Sequence, residues 1–166
     1  MADFRPEKQA VAASFAAAAH SYDDVAVLQR QTADELIERL ALIKIQPQTV
    51  VDLGAGTGRN LPLLKQHYPA ARLLAVDIAP AMLKQCRQRM QQGLKRFWRD
   101  KSVHYLAGDA EALPLSDNSV DLLYANLALQ WCDLTAAFAE IQRVLKPGGA
   151  LLLKLFQGAG VDPSAR

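Results

Sequence analysis

Short apolar runs alternate with amphipathic stretches through most of this chain. Runs at 49–53, 73–77, 103–106, 120–125 and 150–156 read as five strands. Between them lie three segments of helical period. One covers 61–67. The second starts at Pro80, a favoured first-turn position, and carries Met82, Leu83 and Cys86. The third covers 134–145 and is stopped by Lys146-Pro147-Gly148-Gly149. Two helices precede the first strand. One runs from Pro6 to about Ala19, with Val11 and Phe15 four apart on one face; the other runs from about Val25 to Leu42. Strands this apolar, separated by helices, predict a doubly wound parallel α/β sheet covered on both faces, with right-handed crossovers. The expected division is a helical region over 1–46, a sheet domain over 47–157 and a flexible tail over 158–166.

The first strand breaks into Asp52-Leu53-Gly54-Ala55-Gly56-Thr57-Gly58. Alternate glycines allow a tight turn and leave backbone N–H groups bare at a helix start, where negative charge is favoured. Ligands of doubly wound sheets bind beyond the carboxyl ends of the strands, beside the first strand. Gly54 to Gly58, Asp77, Asp109 and Asn126 all fall at those ends.

Composition narrows this little. The 166 residues carry a formal net charge of +2 and are 51% hydrophobic, enough for a proper core and too balanced to imply nucleic acid. No apolar stretch is long enough to span a membrane, and the first residues lack the pattern of a secretory signal. Cys86 and Cys132 are isolated and read as reduced thiols, which suits a cytoplasmic protein. His20, His67 and His104 lack metal-ligand spacing, so no metal is expected.

The loop itself discriminates between nucleoside ligands. A dinucleotide fingerprint places its third glycine one residue later than Gly58, and a phosphate-binding P-loop needs Lys-Ser or Lys-Thr where Arg59-Asn60 stand. The D-x-G-x-G-x-G form resembles the first motif of class I S-adenosylmethionine-dependent methyltransferases. That resemblance implies strand order 3-2-1-4-5 and a loop, with Ala55 inside it, that receives the methionine carboxylate. Asp77 stands where an acidic side chain accepts ribose hydroxyls. Asp109 could accept the adenine amino group, with the Ala110 N–H completing the ring-edge contact and Met82 and Ile78 forming an apolar wall. Asn126 stands where the family receives the methionine amine through backbone carbonyls. Asp52 would brace the loop or reach the amine through water. Each station alone has a plainer reading as a turn or cap residue; four in order, at four successive strand ends, point to the cofactor.

Three segments narrow the resemblance. They are Phe15 with Tyr22-Asp23 and Leu28-Gln29-Arg30, the run Tyr105 to Leu115, and Asn126-Leu127-Ala128-Leu129-Gln130-Trp131-Cys132. Together they look like the malonyl-[acyl-carrier protein] O-methyltransferase family of biotin synthesis. The resemblance implies methyl transfer to the free carboxylate of a malonyl thioester on acyl-carrier protein or coenzyme A. No catalytic acid or base is then expected, because the carboxylate is already ionised. Tyr22, Gln130 and Trp131 are the candidates for lining the reaction site. Trp131 competes with a reading as a packing residue, and Tyr22 with one as a lid pin. Lys95, Arg96, Arg99 and Lys101 could face an acidic carrier protein or be a solvated connection around Phe97 and Trp98.

Two departures stand out. The family's sheet ordinarily ends in an antiparallel hairpin beside the fifth strand, and this sequence lacks it. Either a fragment or a natural short form is therefore expected, with the cofactor stations on strands one to four kept and much of the substrate pocket absent. The ending Lys154-Leu155-Phe156-Gln157-Gly158-Ala159-Gly160 also resembles the corresponding strand of heat-shock-type ribosomal RNA 2′-O-methyltransferases, although Asn126 replaces their aspartate. Other small-carboxylate methyltransferases and a non-catalytic binding module complete the alternatives.

Overall fold

The structure is a computed structural model that describes residues 7–18, 27–93 and 102–155. Helices α1 (Lys8–Ala18) and α2 (Val27–Glu38) precede the sheet. Then follow β1 (Thr49–Leu53), α3 (Leu61–His67), β2 (Arg72–Asp77), α4 (Pro80–Gly93), β3 (Val103–Ala107), β4 (Val120–Asn126), α5 (Leu134–Val144) and β5 (Leu145–Lys154). The strands lie in the order β3-β2-β1-β4-β5 and every pairing is parallel, as the alternating pattern and the family resemblance require.

Alternate strand residues feed two cores, because successive side chains leave a strand on opposite faces. Val50, Leu73, Ala75, Leu122 and Tyr124 pack with Leu36 and Leu40 from the N-terminal side and with Leu61, Leu64, Leu83 and Cys86. Val51, Leu74, Val76, Leu123 and Ala125 pack on the other face against Ala137, Ile141 and Val144 of α5. Both faces of the three central strands are buried, which is why those strands show no polar alternation. No described helix is long and apolar enough to cross a membrane.

Two boundaries differ from the sequence reading. The second helix, expected to reach Leu42, tightens into a 3₁₀ turn at Arg39–Leu42, and the Ile43 N–H donates to the Leu40 carbonyl at 3.0 Å. The tighter turn keeps Leu40 fully buried as the chain leaves for β1. The fifth strand, expected from Ala150, begins at Leu145. Leu145 pairs with Val120 and Ala150 with Leu122, so Lys146–Gly149 bulge out between them rather than ending the element. A bulge is the place inside a sheet where Pro147 can sit without a ladder N–H. The Lys146 ammonium anchors it on Asp121 at 3.0 Å. At the other end, Leu155 lies outside the strand and Phe156 outside the described residues.

A functional site at the carboxyl ends of the strands

β1 ends by handing its backbone to the end of β2. The Gly54 and Ala55 N–H groups both donate to the Val76 carbonyl, at 2.8 and 3.1 Å. The Gly56 N–H donates to Asp77 Oδ2 at 2.8 Å, and the Ala79 N–H to Asp77 Oδ1 at 2.9 Å. Asp77 thus holds the glycine turn in shape from the neighbouring strand. Gly54 has φ 72°, and a Cβ there would lie 2.4 Å from the Ala128 Cβ, so no other residue fits without displacing the chain after β4. At Gly56 an added Cβ would meet nothing within 4 Å, because that position faces open space.

The turn forms one wall of a cavity that also takes in the ends of β2, β3 and β4. Asp77, Ile78, Met82, Asp109, Ala110 and Asn126 line it together, so four strand ends converge as the sequence reading expected. Gly54 and Gly56 line it too. Trp131 also reaches the cavity while packing edge-on against Phe15, with ring centroids 6.2 Å apart and planes at 76°. Packing on Phe15 thus does not keep it out of the cavity lining. A second, smaller recess shares Gly54, Gly56 and Asn126 with the first and is also lined by Ala55, Gln29, Arg30 and Arg59. Arg59 is held there by Asp34 at 3.0 Å.

Other candidates sit differently. Asp52 lines neither recess; it is buried in β1 with Oδ2 lacking a partner among the described groups. Burial, and then the negative charge of Asp77, push its carboxyl up to about 7. Burial also raises the Asp77 carboxyl, opposed by the Ala79 and Gly56 N–H groups. Gly58 packs inward against Cys86, away from both recesses. Gln130 lines neither recess, and its buried Oε1 is unpaired among the described groups. Tyr22, Asp23 and the basic cluster from Lys95 to Lys101 lie outside the described residues. Lys154 pairs with Glu35 at 3.1 Å, apart from the lining of both recesses.

The structure adds residues that sequence reasoning did not assign. Lys8, Val11 and Phe15 bring α1 over the cavity, and Glu111 joins Asp109 at its rim. The Val11–Phe15 spacing was the visible signal, although nothing in it says which surface that face meets. Leu127, another lining residue, has φ 52°, a left-handed conformation that is rare for leucine. It turns the chain between Asn126 and Ala128, and periodicity carries no signal for it.

The residues fit a nucleoside with an amino-acid tail. Asn126 lines both recesses; its Nδ2 donates to the Gln29 carbonyl at 3.0 Å, and its buried Oδ1 lacks a partner among the described groups. Among the described residues no group of His, Cys, Asp and Glu is arranged to hold a metal ion.

Comparison with known proteins agrees with this geometry. The chain is 44% identical over 160 residues to a malonyl-[acyl-carrier protein] O-methyltransferase of Nitrosospira multiformis, covering 90% of this chain and 52% of the relative. A relative of the same name from Gallionella capsiferriformans is 43% identical, with 92% and 52% covered. The chain spans about half the length of these curated relatives. Among solved structures, one chain in the complex of the Haloferax volcanii Trm112 methyltransferase activator with a methyltransferase superposes with a TM-score of 0.70. That match has 28% identity and covers 85% of this chain and 59% of that one. Residues 51–153, the segment that holds the glycine turn and all four strand-end stations, match the methyltransferase domain family, and the chain belongs to it.

Proposed function

We propose that this chain binds S-adenosylmethionine across the two recesses and that the protein it represents methylates the free carboxylate of a malonyl thioester on an acyl-carrier protein. The observation that carries the cofactor reading is the convergence of Asp77, Asp109 and the Gly54–Gly56 turn on one cavity; the N–H groups of the turn, expected bare, are taken up by Val76 and Asp77. The acceptor reading rests on the names of the relatives. The setting proposed for it is the cytoplasm.

When bound, the cofactor supplies a methyl group on a sulfonium, which is already an activated leaving group. The rest is alignment and exclusion of water. Asp77, rigid between two backbone N–H groups, has remaining lone pairs for ribose hydroxyls. Ile78 and Met82 wall the base, and the backbone carbonyls at Asn126 would receive the amine of the tail. Trp131 and Phe15 close the side from which an acceptor would approach. No residue has to move a proton, because the attacking carboxylate is ionised at neutral pH and the departing sulfur becomes a neutral thioether.

Calorimetric titration with S-adenosylhomocysteine tests the cofactor half. Micromolar binding is expected for the wild type. It should be lost in Asp77→Ala, and also in Ile78→Arg, which puts a charge on the partly exposed wall and leaves the turn intact. Circular dichroism would check that both variants fold. A folded wild-type chain that does not bind would refute the assignment. Methyl transfer to malonyl-acyl-carrier protein tests the acceptor half. The same assay separates this reading from cofactor binding without turnover.

A further inference from the structure

Helix α1 is weakly held. It has no buried residue of its own, and six of its eleven residues are alanine. Among the described residues two attachments stand out. Phe15 packs with Ala79 and Met82 and meets Trp131 edge-on. At the other end the Lys8 ammonium reaches across the cavity to Asp109 Oδ2 at 2.6 Å and Glu111 Oε2 at 2.8 Å.

Those two carboxylates are otherwise spoken for. Asp109 Oδ1 accepts the Glu111 N–H at 2.9 Å, and Glu111 Oε1 accepts the Asp133 N–H at 2.8 Å. All four oxygens are engaged, and only the two on Lys8 can be released without breaking a backbone contact. The cavity under α1 encloses about 100 Å³, whereas sites for small ligands usually enclose about 300–1,000 Å³. A nucleoside amino group placed on Asp109 Oδ2 would need the edge that the Lys8 ammonium occupies, and more room than α1 leaves beneath it.

We propose that Lys8 is an electrostatic latch. It closes α1 over the cavity by occupying the carboxylate edge that an adenine amino group would use, so ligand binding and latch closure compete. The proposal rests on the cofactor reading for the identity of the competitor. The latch is light by construction. Lys8 is 44% exposed, and such pairs are screened by water and salt. It can hold a lid shut against thermal opening and still yield to a ligand. The polar edge also stays covered between ligands, so Asp109 and Glu111 do not face one another unpaired.

The test compares the wild type with Lys8→Met and Lys8→Arg. In the ligand-free proteins, the α1 amides of Lys8→Met should exchange hydrogen faster than those of the wild type, while Lys8→Arg keeps the wild-type rate. Unchanged exchange in Lys8→Met overturns the latch. S-adenosylhomocysteine should bind Lys8→Met about two- to fivefold more tightly, the range such an ion pair can hold back. Raising salt from about 0.02 to about 0.5 M should tighten the wild type and leave Lys8→Met unmoved. Weaker binding by Lys8→Met also overturns the proposal, because Lys8 would then be a ligand contact. If neither protein binds, the cofactor reading has failed, and amide exchange still decides whether Lys8 holds α1.

Discussion

Asp52 is buried two residues before the glycine turn, with one carboxylate oxygen unpaired among the described groups. Its carboxyl, raised by burial and by Asp77, titrates near 7 rather than at the ordinary 3.8. The folded chain therefore binds this proton more tightly than the unfolded chain. The associated stability is complete below the unfolded value and is lost as pH rises through the folded one. Asp52→Asn keeps the shape without the charge. Its stability advantage over the wild type should widen from about pH 4 to about pH 7 and stay flat above that; denaturant titrations across that range measure it. Gly58 makes a second residue-scale case. Its φ is 80°, and an added Cβ would lie 2.4 Å from Cys86 Sγ. Gly58→Ala should cost about 2 kcal/mol or more. Adding Cys86→Ala should recover the steric part and leave the backbone strain, which a double-mutant cycle would separate. The Cys86 thiol, pushed by burial up to about 12, is a packing group here and not a reactive one.

At the scale of elements, periodicity and start signals set most boundaries within two residues, and chain-local chemistry accounts for the agreement. Asp133 caps α5 by accepting from the Thr135 N–H at 3.0 Å, and the helix starts at Leu134 as expected. Asp133→Ala should lower stability by about 1 kcal/mol, read from the thermal midpoint. Misplaced boundaries are those decided by partners elsewhere. β5 begins five residues early because Leu145 finds Val120 and Lys146 finds Asp121. α2 gives way to a 3₁₀ turn so that Leu40 can stay in a core shared with Val50 and Leu122. The placement of α1 over the cavity likewise depends on Asp109, Glu111 and Met82, about seventy to a hundred positions away along the chain.

Across the whole molecule, one aspartate joins three strands at the end of the sheet opposite the site. Asp121 of β4 accepts from the Thr49 N–H at the start of β1 at 2.9 Å, from the Gln48 N–H at 3.1 Å, and from Lys146 at the bulge of β5. Burial works against its charge, but Lys146 and the two N–H groups hold its carboxyl below the usual range. A depressed folded value means stability that is present above the unfolded pKa and lost as pH falls through the folded one. Asp121→Asn should cost about 1 kcal/mol at neutral pH. It should also flatten the acid limb of the stability profile below about pH 4. An unchanged acid limb would show that the clamp contributes nothing measurable.

The sequence alone determined the class of fold and, by resemblance, the strand order, and it put Gly54–Gly56, Asp77, Asp109 and Asn126 at the strand ends. Those follow from local rules: apolar runs that must bury both faces, glycines at a turn, and polar residues at strand ends. Tertiary structure decided what each station does besides. Asp77 also braces the turn, Asp109 also holds Lys8, and Asn126 also ties α2 to the sheet. It also left Asp52, Gly58 and Gln130 outside the lining of both recesses and brought in Lys8, Phe15, Glu111 and Leu127. These outcomes depend on contacts between residues far apart in the chain. Hydrophobic periodicity reports which face of a segment is buried, and it carries no information about which other segment buries it.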